Sequence, residues 1–413
     1  ISTNSYFVAK NAANASDTNP GTEAAPWKTL AKAGATAKGG DTVYVKAGTY
    51  YETLRPQNSG TAGNLISFKA YPGDECKGTY SKSDCRVIID GQNTRAPGAD
   101  LYPRGYVRVE GFDIRNHTAE AVYLQGYYDT TSVGVEIVNN YLHDNAGDAI
   151  NARNAVNARL ENNEIYNNGL TAVAFGGANG CNNLTIRGNS VHHNGKDGLQ
   201  GSGRTLMVEN NVLYDQFHTE LHQDAVDCSR LSDAVFRNNS FSDFTQLIYL
   251  HNLDGGFSNI QIYGNVFYTD KYFTVRGGET TGVFFDCRFT SATATNIVIH
   301  SNTFAWTGYS GLWIYGNASG VTLRDNVFYD SGMDVEATNT NSDYNVFYNS
   351  PKPSFERSNS VTMDPQFQNY TRHASWDFRL RSTSPAVDRG DALLGTVVPL
   401  PAGFADIAGT ARP

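Results

Sequence analysis

VEIVNNYLHDN (135–145), ARLENNEIYNN (158–168) and LTIRGNSVHHN (184–194) are one phrase written three times. Each copy has alternating apolar residues, then Asn or Gly, then Asn, one further residue and an apolar one. The phrase returns as LMVENNVLYDQ (206–216), AVFRNNSFSDF (234–244), IQIYGNVFYTD (260–270), IVIHSNTFAWT (297–307) and VTLRDNVFYDS (321–331). Its second Asn makes a column: Asn140, Asn163, Asn189, Asn211, Asn239, Asn265, Asn302 and Asn326. The steps are 22 to 28 residues, with one of 37 between Asn265 and Asn302. Short strands at that period, with Asn at one fixed turn, describe coils of parallel β-structure. The Asn column reads as a stacked amide ladder, each side chain bonding its neighbour one coil away. The spacing of a Leu-rich repeat is absent. The expected fold is therefore all-β, a single right-handed parallel β-helix.

About eight residues after each Asn comes a second strand: DAINARN (148–154), TAVAFGG (171–177), DGLQGSG (197–203), DAVDCSR (224–230), QLIYLHN (246–252), FTVRGGE (273–279), SGLWIYG (310–316) and MDVEATN (333–339). Third and fifth places, such as Ile248 and Leu250, are apolar or small and point inward. The fourth places then point out: Asn151, Ala174, Gln200, Asp227, Tyr249, Arg276, Trp313 and Glu336. The sixth places do the same, with Arg153, Ser229, His251 and Tyr315 among them. A stripe of rings with polar groups between them suits a groove for a polymer.

The ends of the chain bound this array. PWKTLAKAGATAK predicts a short amphipathic helix, with Pro26 at its start and Trp27, Leu30 and Ala31 on one face. It reads as a cap on the first coil, with Gly34 weakening its last turn. One domain is expected over 1–413: a strand and helix cap at 1–60, coils at 61–340, and a last coil and tail at 341–413.

Composition narrows the partners. The formal charge is −9 and no basic stripe appears, which argues against nucleic acid. No run of 18 apolar residues suggests a membrane span. Cys76 and Cys85 share one polar loop and are expected to form a local disulfide, while Cys181, Cys228 and Cys287 read as buried thiols. A chain opening at Ile1 reads as a mature, exported form, secreted or periplasmic. A monomer is expected.

One coil stands out. From Asn211 to Asp224 there are 13 residues rather than eight, and HTELHQDAVDCS (218–229) concentrates His and acidic residues there. Loops on a rigid scaffold usually carry function. Asp197 and Asp224 open successive strands, and Asp227 adds a third oxygen; carboxylates brought that close demand a cation or a raised pKa. Asp148 opens its strand in the same way and reads as a turn residue. Glu220, on the long loop, joins Asp197, Asp224 and Asp227 as a metal ligand. Its neighbours His218 and His222 are assigned to substrate, with Gln200, Arg153, Trp313 and Tyr315.

HQDAVDC and YFTVRGG resemble the pectate lyases of polysaccharide lyase family 9, and the two ends of the chain resemble that family at the level of fold. The resemblance implies a calcium site in an Asp-Asp-x-x-Asp phrase, with one Asp from a neighbouring coil, and a Lys base two coils further on. Here the phrase is Gln223-Asp224-Ala225-Val226-Asp227, so one charged ligand is lost, and the Lys position is Arg276. The implied activity is β-elimination on an acidic, uronate-containing polysaccharide, with Ca²⁺ held by Asp197, Asp224 and Asp227. Arg276 is then the base or a second neutraliser. In the latter case His251 or Tyr249 becomes the base, with Lys196 in reserve. Two alternatives stay open. One is a β-helix glycoside hydrolase using Asp197, Asp224 or Asp227 as acid and base. The other is a non-catalytic glycan-binding solenoid.

Overall fold

The structure is a computed structural model and describes residues 4–76, 85–125, 131–177, 180–215, 223–253, 255–269, 280–371 and 375–391. The chain forms two compact units, Ile1–Met207 and Val208–Pro413. Each is built of coils whose strands pair in parallel with the corresponding strands one coil away.

In the first unit one ladder runs through Ser5–Val8, Thr42–Val45, Ile66–Ala70, Val107–Glu110, Glu136–Val138, Arg159–Glu161 and Cys181–Arg187. The parallel array therefore begins at Ser5, inside the stretch expected to be a cap. A second ladder includes Asp113–Arg115, Tyr141–His143, Glu164–Tyr166 and Ser190–His192. A third includes Val122–Tyr123, Ile150–Arg153 and Val173–Gly176. The only helix among the described residues is Leu30–Thr36. It starts later than the sequence suggested. Asp17 takes the N–H groups of Lys28 and Thr29, and the Thr29 hydroxyl caps the helix by accepting from Lys32 N–H at 3.1 Å. Trp27 thus lies ahead of the helix, paired with Val8. Nor is Gly34 a weak point: a Cβ there would lie 2.4 Å from the Arg55 carbonyl oxygen, so only glycine permits this approach.

The second unit repeats the plan. Val226–Arg237 pairs with Phe257–Tyr263, which pairs with Ala294–His300 and onward to Ser310–Arg324. Its interior carries a stack of Phe241, Phe267, Phe304, Phe328 and Phe347, each ring 4.9–5.2 Å from the next. Beyond residue 341 the coils continue, with Val346–Tyr348 pairing in parallel with Val361–Thr362, and the stretch after them adds an element not expected. Phe367–Thr371 and Ser375–Leu380 form an antiparallel hairpin. Its Phe367 and Phe378 bury against Tyr268, Ala305, Trp306 and Tyr329.

The amide ladder is present in both units. In the first, Asn140 Nδ2 donates to Asn163 Oδ1 at 3.1 Å and Asn163 Nδ2 to Asn189 Oδ1 at 3.0 Å. In the second, the chain of donors runs Asn211, Asn239, Asn265, Asn302, Asn326 and on to Asn345. The residue before each ladder Asn explains the rest of the phrase. Asn139, Asn162, Asn210, Asn238, Ser301 and Asp325 have φ of 53–57°, and Gly188 and Gly264 have 64° and 66°. Only glycine and short polar residues take this left-handed conformation readily. The turn thus favours glycine and short polar residues first, with Tyr344 before Asn345 the exception at 62°, and the ladder selects Asn second. The first unit holds another ladder five residues on, through Asn145, Asn168 and Asn194.

The Cys76–Cys85 disulfide is formed, and Cys181, Cys228 and Cys287 are buried thiols. No helix among the described residues is long and apolar enough to cross a membrane.

Candidate functional site

The site is built on one parallel ladder of the second unit. Asp227 pairs in register with Tyr249, Tyr249 with Phe284, Phe284 with Trp313, and Trp313 with Asp334. The next inward column, Cys228, Leu250, Phe285 and Ile314, is fully buried, as the alternation requires. Beyond it lies a second outward column of His251, Asp286 and Tyr315.

This register corrects the expected columns. The place between Tyr249 and Trp313 belongs to Phe284 and not to Arg276, and Trp313 faces Asp334 and not Glu336. The coil after Asn265 has a long connection between Val266–Tyr268 and Thr281–Cys287. Counting eight residues from Asn265 therefore lands short of its strand. Arg276, His218, Glu220 and His222 lie outside the described residues.

Two charge pairs organise the face. His251 Nε2 lies 2.9 Å from Asp227 Oδ1. A carboxylate only accepts, so Nε2 is the donor in this pair. Nδ1 is buried and has no hydrogen-bond partner among the described residues. Leaving such an atom unmatched costs about 1–3 kcal/mol, and native proteins tolerate it mainly where chemistry or water uses it. In the second pair, Arg288 Nε and Nη2 donate to Asp286 at 2.7 and 2.5 Å. The guanidinium also stacks over the Tyr315 ring, 4.0 Å from its centroid. Hydrogen bonding to Asp286 raises the Arg288 pKa above its ordinary value and keeps it charged.

Aromatic rings line the same face. Tyr249 stacks on Phe284 at 5.3 Å, Phe284 on Trp313 at 4.4 Å, and Trp313 on Tyr315 at 5.4 Å. The Tyr249 and His251 rings are 5.0 Å apart. Burial raises the Tyr249 pKa, and the charges of Asp286, Asp224 and Asp227 add to the rise. Its hydroxyl stays protonated through the ordinary pH range. The Trp313 indole N–H is buried and also lacks a partner among the described residues.

Asp224 is buried where the chain enters this ladder, bridged to Gln246, and the chain bends at Ala225 before Asp227 turns outward. Among the described residues no three His, Cys, Asp or Glu side chains group as a metal site. With Asp227 engaged by His251 and Asp286 by Arg288, the described carboxylates of this face do not form a calcium cradle.

The remaining sequence candidates belong to the first unit. Arg153 closes an ion pair with Asp148 at 3.1 Å. Asp148 also accepts the Thr171 N–H at 3.1 Å, the turn role expected of it. Asp197 is buried, and Lys196 lies 3.8 Å from it and 3.1 Å from Gln200 Oε1.

Residues 6–181 match the family described as Pel9A-like, right handed beta helix region, and residues 127–293 that described as right handed beta helix region. The uncharacterized protein YwoF of Bacillus subtilis (strain 168) is 24% identical over 447 aligned positions, covering 90% of each chain. Among solved structures, pectate lyase Pel9A aligns with a TM-score of 0.60 at 17% identity, over 100% of this chain and 98% of that one. The GH136 lacto-N-biosidase from Eubacterium ramulus aligns at 0.53 and 14% identity, over 82% of this chain and 68% of that one. A mannuronic acid specific family 6 polysaccharide lyase from human gut microbiota aligns at 0.50 and 13% identity, over 87% and 92%. These likenesses agree with the ladders above on a right-handed parallel β-helix.

Proposed function

We propose that this protein is a secreted polysaccharide lyase that cleaves a uronate-containing polymer by β-elimination on the aromatic face of the second unit. The observation that carries the reading is the His251–Asp227 pair set beside Tyr249 on this face. His251, held by Asp227, takes the proton from C5 of the uronate. The electron pair of that C–H bond forms the C4=C5 double bond, and the C4–O bond to the neighbouring sugar breaks. Tyr249, held protonated, gives its proton to the departing oxygen. The proton on His251 then returns to the tyrosinate directly or through water. The stacked rings of Tyr249, Phe284, Trp313 and Tyr315 give this side of the ladder an aromatic edge against which sugars can pack.

The glycoside hydrolase reading is less well supported on this face. It needs one carboxyl group kept protonated as general acid. Asp227 is committed to His251, and Asp286 to a bidentate pair with Arg288. Export is supported by the disulfide, which persists in oxidising compartments. Calcium stays part of the proposal as a dependence that the chelator arm of the test reads. No step is assigned to it, because the described carboxylates do not form its site.

The test is ultraviolet absorbance with a panel of uronate polymers, with calcium and then with chelator. New absorbance from a C4=C5 bond that is lost in His251→Ala supports the reading. New reducing ends without absorbance move the answer to a hydrolase.

A further inference from the structure

The geometry points to Arg288 as the group that recognises the substrate's carboxylate and sets the preference for charged over neutral sugar. This inference rests on the reading of the face as a uronate site.

Three observations support it. First, Arg288 is presented and fixed. Its side chain is 45% exposed, while that of Asp286 is 2% exposed. Two of the five N–H donors of a guanidinium go to Asp286, and the plane lies on Tyr315. Tyr315 engages the guanidinium as well, and the outer edge of the exposed side chain is where a second carboxylate would be met. Second, a buried carboxylate is an expensive way to fill an outward position. An apolar residue there would be neutral or stabilising if packing were the whole purpose. Phe284, two residues earlier, fills the adjacent column in that way.

Third, the turn that carries Arg288 is tied to the strand of His251. Asn252, buried and next in sequence to His251, accepts the Phe289 N–H at 2.8 Å and the Thr290 N–H at 3.3 Å. Its amide donates to the Thr290 and Ala292 carbonyls at 3.1 and 3.0 Å. One side chain thus uses four hydrogen bonds to fix the 289–292 turn against the strand that ends in His251. Asn252 is a positioning residue, and it holds the cation and the base in one frame. A cation at the uronate carboxylate is what elimination needs, because the C5 proton is too weakly acidic while that carboxylate keeps its full charge.

The experiment is calorimetric binding to the non-cleaving His251→Ala protein. The probes are hexamers of galacturonate, mannuronate and glucuronate, each as free acid and as full methyl ester. At least one free acid should bind tighter than its ester by about tenfold, the worth of a charge-assisted bond. Arg288→Ala alone would strand Asp286, so the informative variant is Arg288→Ala with Asp286→Asn. There the ratio of acid to ester affinity should fall toward one, while Arg288→Lys should keep part of it. No preference for any free acid before the change, or the same preference after it, overturns the assignment. A preference that collapses in a protein whose products lack the double bond supports Arg288 and sinks the lyase reading alone.

Discussion

His251 and Asp227, on neighbouring coils, meet with Nε2 2.9 Å from Oδ1. In that contact the imidazole donates through Nε2, and the carboxylate holds the ring in place. His251→Ala should abolish turnover. Asp227→Asn keeps a hydrogen-bond acceptor but removes the charge that stabilises the imidazolium. It should lower kcat by roughly 10²-fold or more with KM little changed. An unaltered kcat would remove Asp227 from that role.

Tyr249 is the proposed acid. Tyr249→Phe keeps the ring stack with Phe284 and removes only the hydroxyl, so binding of oligosaccharide should persist while kcat falls roughly 10²–10⁴-fold. Because burial and then the carboxylates Asp286, Asp224 and Asp227 raise its pKa above 10.0, no alkaline loss of rate below pH 10 should trace to this group. A steep alkaline fall that Tyr249→Phe abolishes would argue for a tuned, low-pKa tyrosine instead.

The amide ladder should carry stability out of proportion to its size. Asn265 donates to the Phe236 carbonyl at 2.9 Å and to Asn302 Oδ1 at 3.0 Å, and it accepts the Asn239 N–H at 2.9 Å. Asn265→Ala leaves several buried groups unmatched at about 1–3 kcal/mol each, so urea unfolding should show a loss of roughly 3 kcal/mol. Asn317, whose amide bonds the Ser291 carbonyl at the surface, is the control, and its change to Ala should cost no more than about 0.5 kcal/mol.

His143, in the first unit, should make stability depend on pH. Its Nε2 faces Asp113 at 3.1 Å and its Nδ1 faces Asp144 at 2.6 Å. Tyr166 stacks on the ring at 4.6 Å, and Arg115 lies 3.3 Å from Asp113. Burial alone would lower the pKa; the bonds to Asp113 and then Asp144 outweigh it and raise the value above 6.5. A raised folded-state pKa gives stability that is complete below about pH 6.5 and is lost as pH rises through the folded value. Thermal midpoints should therefore fall over that interval, and His143→Gln should flatten the fall. An equal slope in both proteins would contradict the assignment.

The Asn phrases made the coils legible because two independent constraints, a left-handed turn and an amide ladder, fall on adjacent residues. The second ladder through Asn145, Asn168 and Asn194 was equally regular, five residues further on, but reads as ordinary turn composition until the coils are stacked. Inward positions such as Ile248 and Leu250 were readable from alternation alone. The column between Tyr249 and Trp313 was not, because coil length varies and nothing local in residues 266–287 announces where the strand resumes. Arg288 and Asn252 escaped notice for a related reason. Both act through contacts between coils, and neither stands in a phrase of its own.

The most direct measurement is mass spectrometry of the products formed from a uronate polymer in heavy-oxygen water. Elimination through His251 and Tyr249 predicts fragments whose masses sum to that of the substrate, with no solvent oxygen and one new double bond per cut. Fragments that gain the elements of water and carry the heavy oxygen would contradict the account and identify a hydrolase.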